Sequence, residues 1–85
     1  MADELHVSSL VVHGRPEWLE VIQAGLARLA GIEVHAAAPT GKLVVTLETA
    51  SEDEIVARLT AISLLDGVLS ATLVFHHVEP IEDRG

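Results

Sequence analysis

Residues 42–65 read KLVVTLETASEDEIVARLTAISLL, and the change of period inside this stretch decides the fold. From Lys42 to Thr49 apolar and polar residues alternate. Leu43, Val45 and Leu47 point one way, and Val44, Thr46 and Glu48 the other, as in a strand with one buried face. At Ser51-Glu52-Asp53-Glu54 the pattern becomes a capping box, in which the Ser51 hydroxyl serves the third backbone N–H and Glu54 reaches back to the cap. Apolar residues then recur at helical spacing to about Leu65. Ile55, Leu59 and Ile62 form the buried face, with Val56 and Leu65 at its margins.

Upstream, IEVHAAA at 32–38 is a short strand joined to the first by a Pro39-Thr40-Gly41 turn, which makes a hairpin. Downstream, Asp66-Gly67 stops the helix, and VLSATLVFHH at 68–77 alternates again as a strand. The same grammar governs the first half. LHVSSLVV at 5–12 is a strand, and Gly14-Arg15-Pro16 ends it. Pro16 suits the first helical position, where its missing N–H has no intrahelical use. Trp18, Ile22, Leu26 and Leu29 form one stripe with Leu19 beside it, Glu17 and Glu20 sit in the first turns, and Gly31 terminates the helix. The polar tail from Val78 to Gly85 is expected to fray.

The element order is therefore βαββαβ within a single domain, residues 1–85. Such a chain folds as an α+β, ferredoxin-like plait: a four-stranded antiparallel sheet, strands 1 and 3 central, with both helices on one face. Two helices cannot cover both faces, so the other is open. On strand 1 the odd positions (Leu5, Val7, Ser9, Val11) are the more apolar set and are assigned to the helix side, with Leu43, Val45 and Leu47 and with Leu69, Ala71, Leu73 and Phe75. The open face then carries His6, Ser8, Leu10 and Val12; Val44, Thr46 and Glu48; and Ser70, Thr72, Val74 and His76. A one-residue slip exchanges the two sets. Two readings fit this face: a contact surface with an apolar centre, or an ordinary half-wet antiparallel sheet.

Composition narrows the chemistry. Of the 85 residues 49% are hydrophobic, but only Trp18 and Phe75 are aromatic, so the core rests on Leu, Ile, Val and Ala. Cysteine is absent, which removes disulfides, thiol catalysis and thiolate metal sites. No apolar run approaches the ~20 residues of a membrane span, and the acidic start Met1-Ala2-Asp3-Glu4 does not resemble a signal peptide. A cytoplasmic location is the expectation. A formal net charge of −8 opposes binding to nucleic-acid phosphates and suits a cationic partner.

The five histidines lack metal-site spacing. His76 and His77, adjacent on a strand, point to opposite faces, while His6 and His76 can meet across strands 1 and 4. No metal and no cofactor is expected. Glu52-Asp53-Glu54 is explained by the helix start, and Ser8 and Ser9 lack the elbow of a nucleophile. Enzymes and binders built on the same plait fail on particular residues. An acylphosphatase-like site needs an asparagine, and none is present. RNA-binding plaits need aromatics on strands 1 and 3, and a copper chaperone needs a cysteine pair. Gly14-Arg15-Pro16-Glu17 with Ala30-Gly31-Ile32 is similar to the first half of ACT domains, which implies an amino-acid sensor as the alternative function. Strand 2 or strand 4 could also pair with an extended peptide through a free edge.

Three segments taken in order resemble the NapD family: Val7-Ser8-Ser9-Leu10-Val11-Val12, Gly41-Lys42-Leu43-Val44-Val45, and Asp66-Gly67-Val68-Leu69-Ser70-Ala71-Thr72-Leu73-Val74-Phe75-His76. The last is similar to a family pattern G-V-L-x-x-x-L-V-Y-H, with Phe75 in place of Tyr. The resemblance implies a non-catalytic cytoplasmic chaperone. Its partner would be the twin-arginine signal peptide of the catalytic subunit of periplasmic nitrate reductase, held back from export until the molybdenum cofactor is inserted. On the open-face assignment, the peptide contacts are Ser8, Leu10, Val12, Val44, Thr46, Glu48, Thr72, Val74 and His76.

Overall fold

The computed structural model describes residues 3–81, with element order β1 (Asp3–Gly14), a 3-10 turn (Pro16–Trp18), α1 (Leu19–Ala27), β2 (Ile32–Ala37), β3 (Lys42–Thr49), α2 (Glu52–Ser63) and β4 (Val68–Ile81). The strands form one antiparallel sheet in the order β2-β3-β1-β4, with β1 and β3 central. This is the ferredoxin-like α+β plait expected from the period changes.

Local chemistry sets the joints. Ser51 caps α2, its Oγ accepting from the Glu54 N–H at 3.3 Å, while Glu54 Oε2 accepts from the Ala50 N–H at 2.7 Å. The reciprocal bond thus reaches one residue beyond the cap. Pro16 begins a 3-10 turn rather than the α-helix, and α1 proper starts at Leu19. Gly41 has φ +102°, and a Cβ there would collide with the Gly14 carbonyl oxygen. This close approach lets the Gly14 N–H donate to the Gly41 carbonyl at 2.8 Å, tying the β2–β3 turn to the end of β1.

The core lies between the sheet and the helices. Leu10 and Val12 of β1 and Leu43, Val45 and Leu47 of β3 are fully buried, packed with Ile22 and Leu26 of α1 and Ile55 and Ile62 of α2. Directly opposed residues on neighbouring strands project to one face. Leu10 is opposite Val45, Val12 opposite Leu43, and Ser8 opposite Leu47. The even positions of β1 therefore face the helices. This reverses the strand 1 assignment made from apolar counts: Ser8, Leu10 and Val12 belong to the core side, not to the open face.

Strand β4 changes parity along its length. Val12 pairs with Ala71 and Leu10 with Leu73, but Ser9 pairs with Phe75 and Ser8 with His76. The register shift between Ser9 and Leu10 leaves Val74 as an extra residue, a β-bulge. Beyond it Phe75 lies on the open side and His76 on the helix side, the opposite of strict alternation. His76 therefore does not belong to the open face, where strict alternation places it, and Phe75 does.

The strand also runs past His77. Asp3 pairs with Ile81, Glu4 with Pro80 and Leu5 with Glu79, as a two-stranded continuation beyond the end of β3, where His6 pairs with Thr49. Residues 78–81 thus form ladder where a frayed tail is expected from polarity. The rest of that tail, residues 82–85, lies outside the described residues. A strand of this length spans roughly 46 Å at ~3.3 Å per residue, which accounts for the 47 Å long axis against 21 and 20 Å across. Pro80 is tolerated because β4 is an edge strand.

Candidate functional site: the uncovered face of the sheet

The odd positions of β1 run down the middle of the uncovered face, and the register assigns their neighbours. Leu5 lies beside Glu79. Val7 lies between Glu48 and His77, Ser9 between Thr46 and Phe75, Val11 between Val44 and Thr72, and His13 between Lys42 and Ser70. Glu33 extends the Ser9 row and Ala36 the Val11 row on β2. Val7, Ser9 and Val11 are half-buried, as the middle strand of a bare sheet must be. Val44 is 39% and Phe75 58% exposed, and Val74, in the bulge, is 59% exposed. No described element covers this surface.

Val7, Val11, Val44 and Phe75 make an apolar strip, and polar groups bracket it. Phe75 and His77 stack with ring centroids 6.3 Å apart, and His77 Nε2 lies 3.0 Å from Glu79 Oε1. Across the sheet His35 contacts the Thr46 hydroxyl at 2.7 Å, with Glu33 Oε2 3.5 Å from the same ring nitrogen. Glu48 forms no side-chain hydrogen bond or ion pair among the described residues. It borders a cleft of about 400 Å³ at the end of the sheet, shared with Glu4, Leu5, Glu54, Arg58 and Ile81. Arg58 shares the cleft but forms no ion pair with Glu48 within 4 Å, and its Nε–H donates to the Ala30 carbonyl at 3.0 Å.

Of the nine residues named from sequence, Val44, Thr46, Glu48 and Thr72 lie together on this face, and Val74 sits in the bulge beside it. Ser8, Leu10 and Val12 are buried under the helices, and His76 faces α2. The residues missed are Val7, Ser9, Val11 and Phe75. The signal that finds them is register: once Leu10 is set opposite Val45, every odd residue of β1 must face outward.

His6 and His76, expected to meet on the open face, meet instead on the helix side. His6 Nδ1 and His76 Nε2 are 3.1 Å apart and the rings stack 5.3 Å between centroids, with Glu4 3.7 Å from the other nitrogen of His6. One ring must donate and the other accept, so the contact requires at least one neutral imidazole. Among the described residues no group of three or more His, Asp or Glu is placed to hold a metal ion. The turn after β1, where an ACT domain would bind its ligand, has already used its backbone donors: Gly14 N–H on Gly41 and Arg15 N–H on Gly67.

Fold and face define a ferredoxin-like plait whose bare sheet presents an apolar strip with carboxylates at one end. Comparison with known proteins places it more closely. The family model described as NapD protein matches residues 5–80. The chain is 42% identical over 80 residues to a protein named Chaperone NapD from Paracoccus pantotrophus, covering 94% of this chain and 70% of that protein. It is 32% identical over 74 residues to Chaperone NapD of Escherichia coli K12, covering 86% of this chain and 85% of the other. The solution structure of the E. coli Tat proofreading chaperone protein NapD superposes with a TM-score of 0.82 at 29% identity, over 100% of this chain and 87% of that one. The chain belongs to the NapD family, a family of chaperones. This assignment displaces the amino-acid-sensor alternative.

Proposed function

We propose that this chaperone binds the twin-arginine signal peptide of the catalytic subunit of periplasmic nitrate reductase on its uncovered sheet face. In this reading it acts in the cytoplasm and delays export of the precursor until the molybdenum cofactor is inserted. It holds the leader and performs no chemistry on it. One observation carries the proposal: an uncovered strip of Val7, Val11, Val44 and Phe75 with Glu48 and Glu79 at one end. A leader of this type has a cationic start and an apolar stretch, and laid as a helix on the strip it satisfies both. The E. coli relative of known structure is a Tat proofreading chaperone, which supports the same reading. Among the described residues no helix is long and apolar enough to cross a membrane.

A short helix buries about 1,000–1,200 Å² in total, the low end for a specific interface. Affinity must then come from a few anchors. Calorimetry with the leader peptide is the test. Val44→Asp should weaken binding at least about tenfold, because a carboxylate placed under the apolar segment loses hydration on docking. Thr60→Asp, on the exposed surface of α2, should leave binding unchanged. Equal affinity for the native protein and Val44→Asp would contradict the proposal.

A further inference from the structure

We infer that the sheet sets the direction of its guest: the cationic amino end lies at the Glu48–Glu79 end, and the apolar stretch runs parallel to β1 towards Lys42 and His13. The inference rests on the reading that this face takes an arginine-bearing leader. It comes from how the face changes along β1. At Leu5 and Val7 the flanking groups are Glu79, Glu48 and His77, the last 3.0 Å from Glu79 Oε1; at Val11 they are Val44 and Thr72; at His13 they are Lys42 and Ser70. Acid, apolar and basic-to-neutral zones therefore follow one another in the direction of the strand.

Charge favours one orientation. Glu48 forms no side-chain hydrogen bond or ion pair among the described residues, and the adjoining cleft of about 400 Å³ sets three carboxylates, Glu4, Glu48 and Glu54, against the single guanidinium of Arg58, which leaves it net acidic. The opposite orientation places the arginines beside Lys42. The peptide backbone adds to the preference. A helix carries partial positive charge at its amino end and partial negative charge at its carboxyl end, which match Glu48 and Lys42 respectively. From Leu5 to His13 the face is roughly 27 Å long at ~3.3 Å per residue, the length of a helix of about 18 residues.

Nitroxide labelling tests the direction. A synthetic peptide of about 18 residues, with two consecutive arginines near its amino end and an apolar stretch after them, is labelled at one end or the other and added to isotope-labelled protein. The amino-end label should broaden the amides of Val7, Glu48 and Glu79, and the carboxyl-end label those of His13, Lys42 and Ser70. The reverse pattern overturns the direction but leaves the face as the site. Broadening confined to α1 and α2, or no binding, overturns the site itself. A second measurement is independent of labels: Glu48→Gln should raise Kd about tenfold and Lys42→Gln less than about twofold. The opposite ranking contradicts the inference.

Discussion

Leu10 and Val11 are neighbours with opposite fates. Leu10 is fully buried between Val45 and the helices, and Val11 faces outward between Val44 and Thr72. An aspartate at position 10 must be buried as a charge or neutralised at a cost of several kcal/mol, so Leu10→Asp should abolish the cooperative unfolding transition. Val11→Asp should fold and lose affinity for the leader, and circular dichroism followed by calorimetry separates the two outcomes. Ser8 makes the complementary case: it is fully buried, and its Oγ has no hydrogen-bond partner among the described residues. Ser8→Ala removes a polar atom that gains nothing from burial, so denaturant titration should show stability unchanged or raised by up to about 1 kcal/mol. A loss above that would mean the hydroxyl has a partner. These residues also show what the sequence could not disclose. In LHVSSLVV the odd set holds three apolar residues and the even set two, so counting favours the wrong face. His6 is tolerated on the helix side for a reason outside the strand, the 3.1 Å contact of its Nδ1 with His76 Nε2 on β4.

Elements were legible where their signals are local. The alternation of β3 and the cap of α2 need no knowledge of the rest of the chain, and both appear where expected. Removing the cap should cost about 1 kcal/mol, since Ser51→Ala leaves the Glu54 N–H without its acceptor. Thermal unfolding measures this, and no change in Tm would mean that Glu54 alone secures the helix start. The bulge at Val74 was not legible, because an extra residue in a strand leaves no mark in an alternating sequence. It exists only relative to β1, and it moves Phe75 to the open face and His76 to the helices. Val44, Thr46 and Glu48 on β3 and Thr72 on β4 were therefore readable, and Val7, Ser9, Val11 and Phe75 depended on long-range pairing. Gly31 makes the same point: its φ of +81° suits a helix stop, but its closeness to the Glu48 carbonyl appears only in the fold.

At the scale of the molecule, a net charge of −8 acts on a cationic guest before contact. Part of the attraction is therefore long-range and is screened beyond about 10 Å at 0.1 M salt. Leader binding should weaken as salt rises, chiefly through a slower association rate, and a flat salt series in stopped-flow measurements would remove steering from the account. Two helices on one side and none on the other leave Val7, Val11, Val44 and Phe75 facing solvent, which is the arrangement the proposed activity requires. Amide chemical-shift mapping with the unlabelled leader peptide tests that claim most directly. The account predicts shifts concentrated on β1 at Val7, Ser9 and Val11, on β3 at Val44, Thr46 and Glu48, and on β4 at Phe75. Shifts confined to the outer surfaces of α1 and α2, with the sheet unmoved, would contradict it.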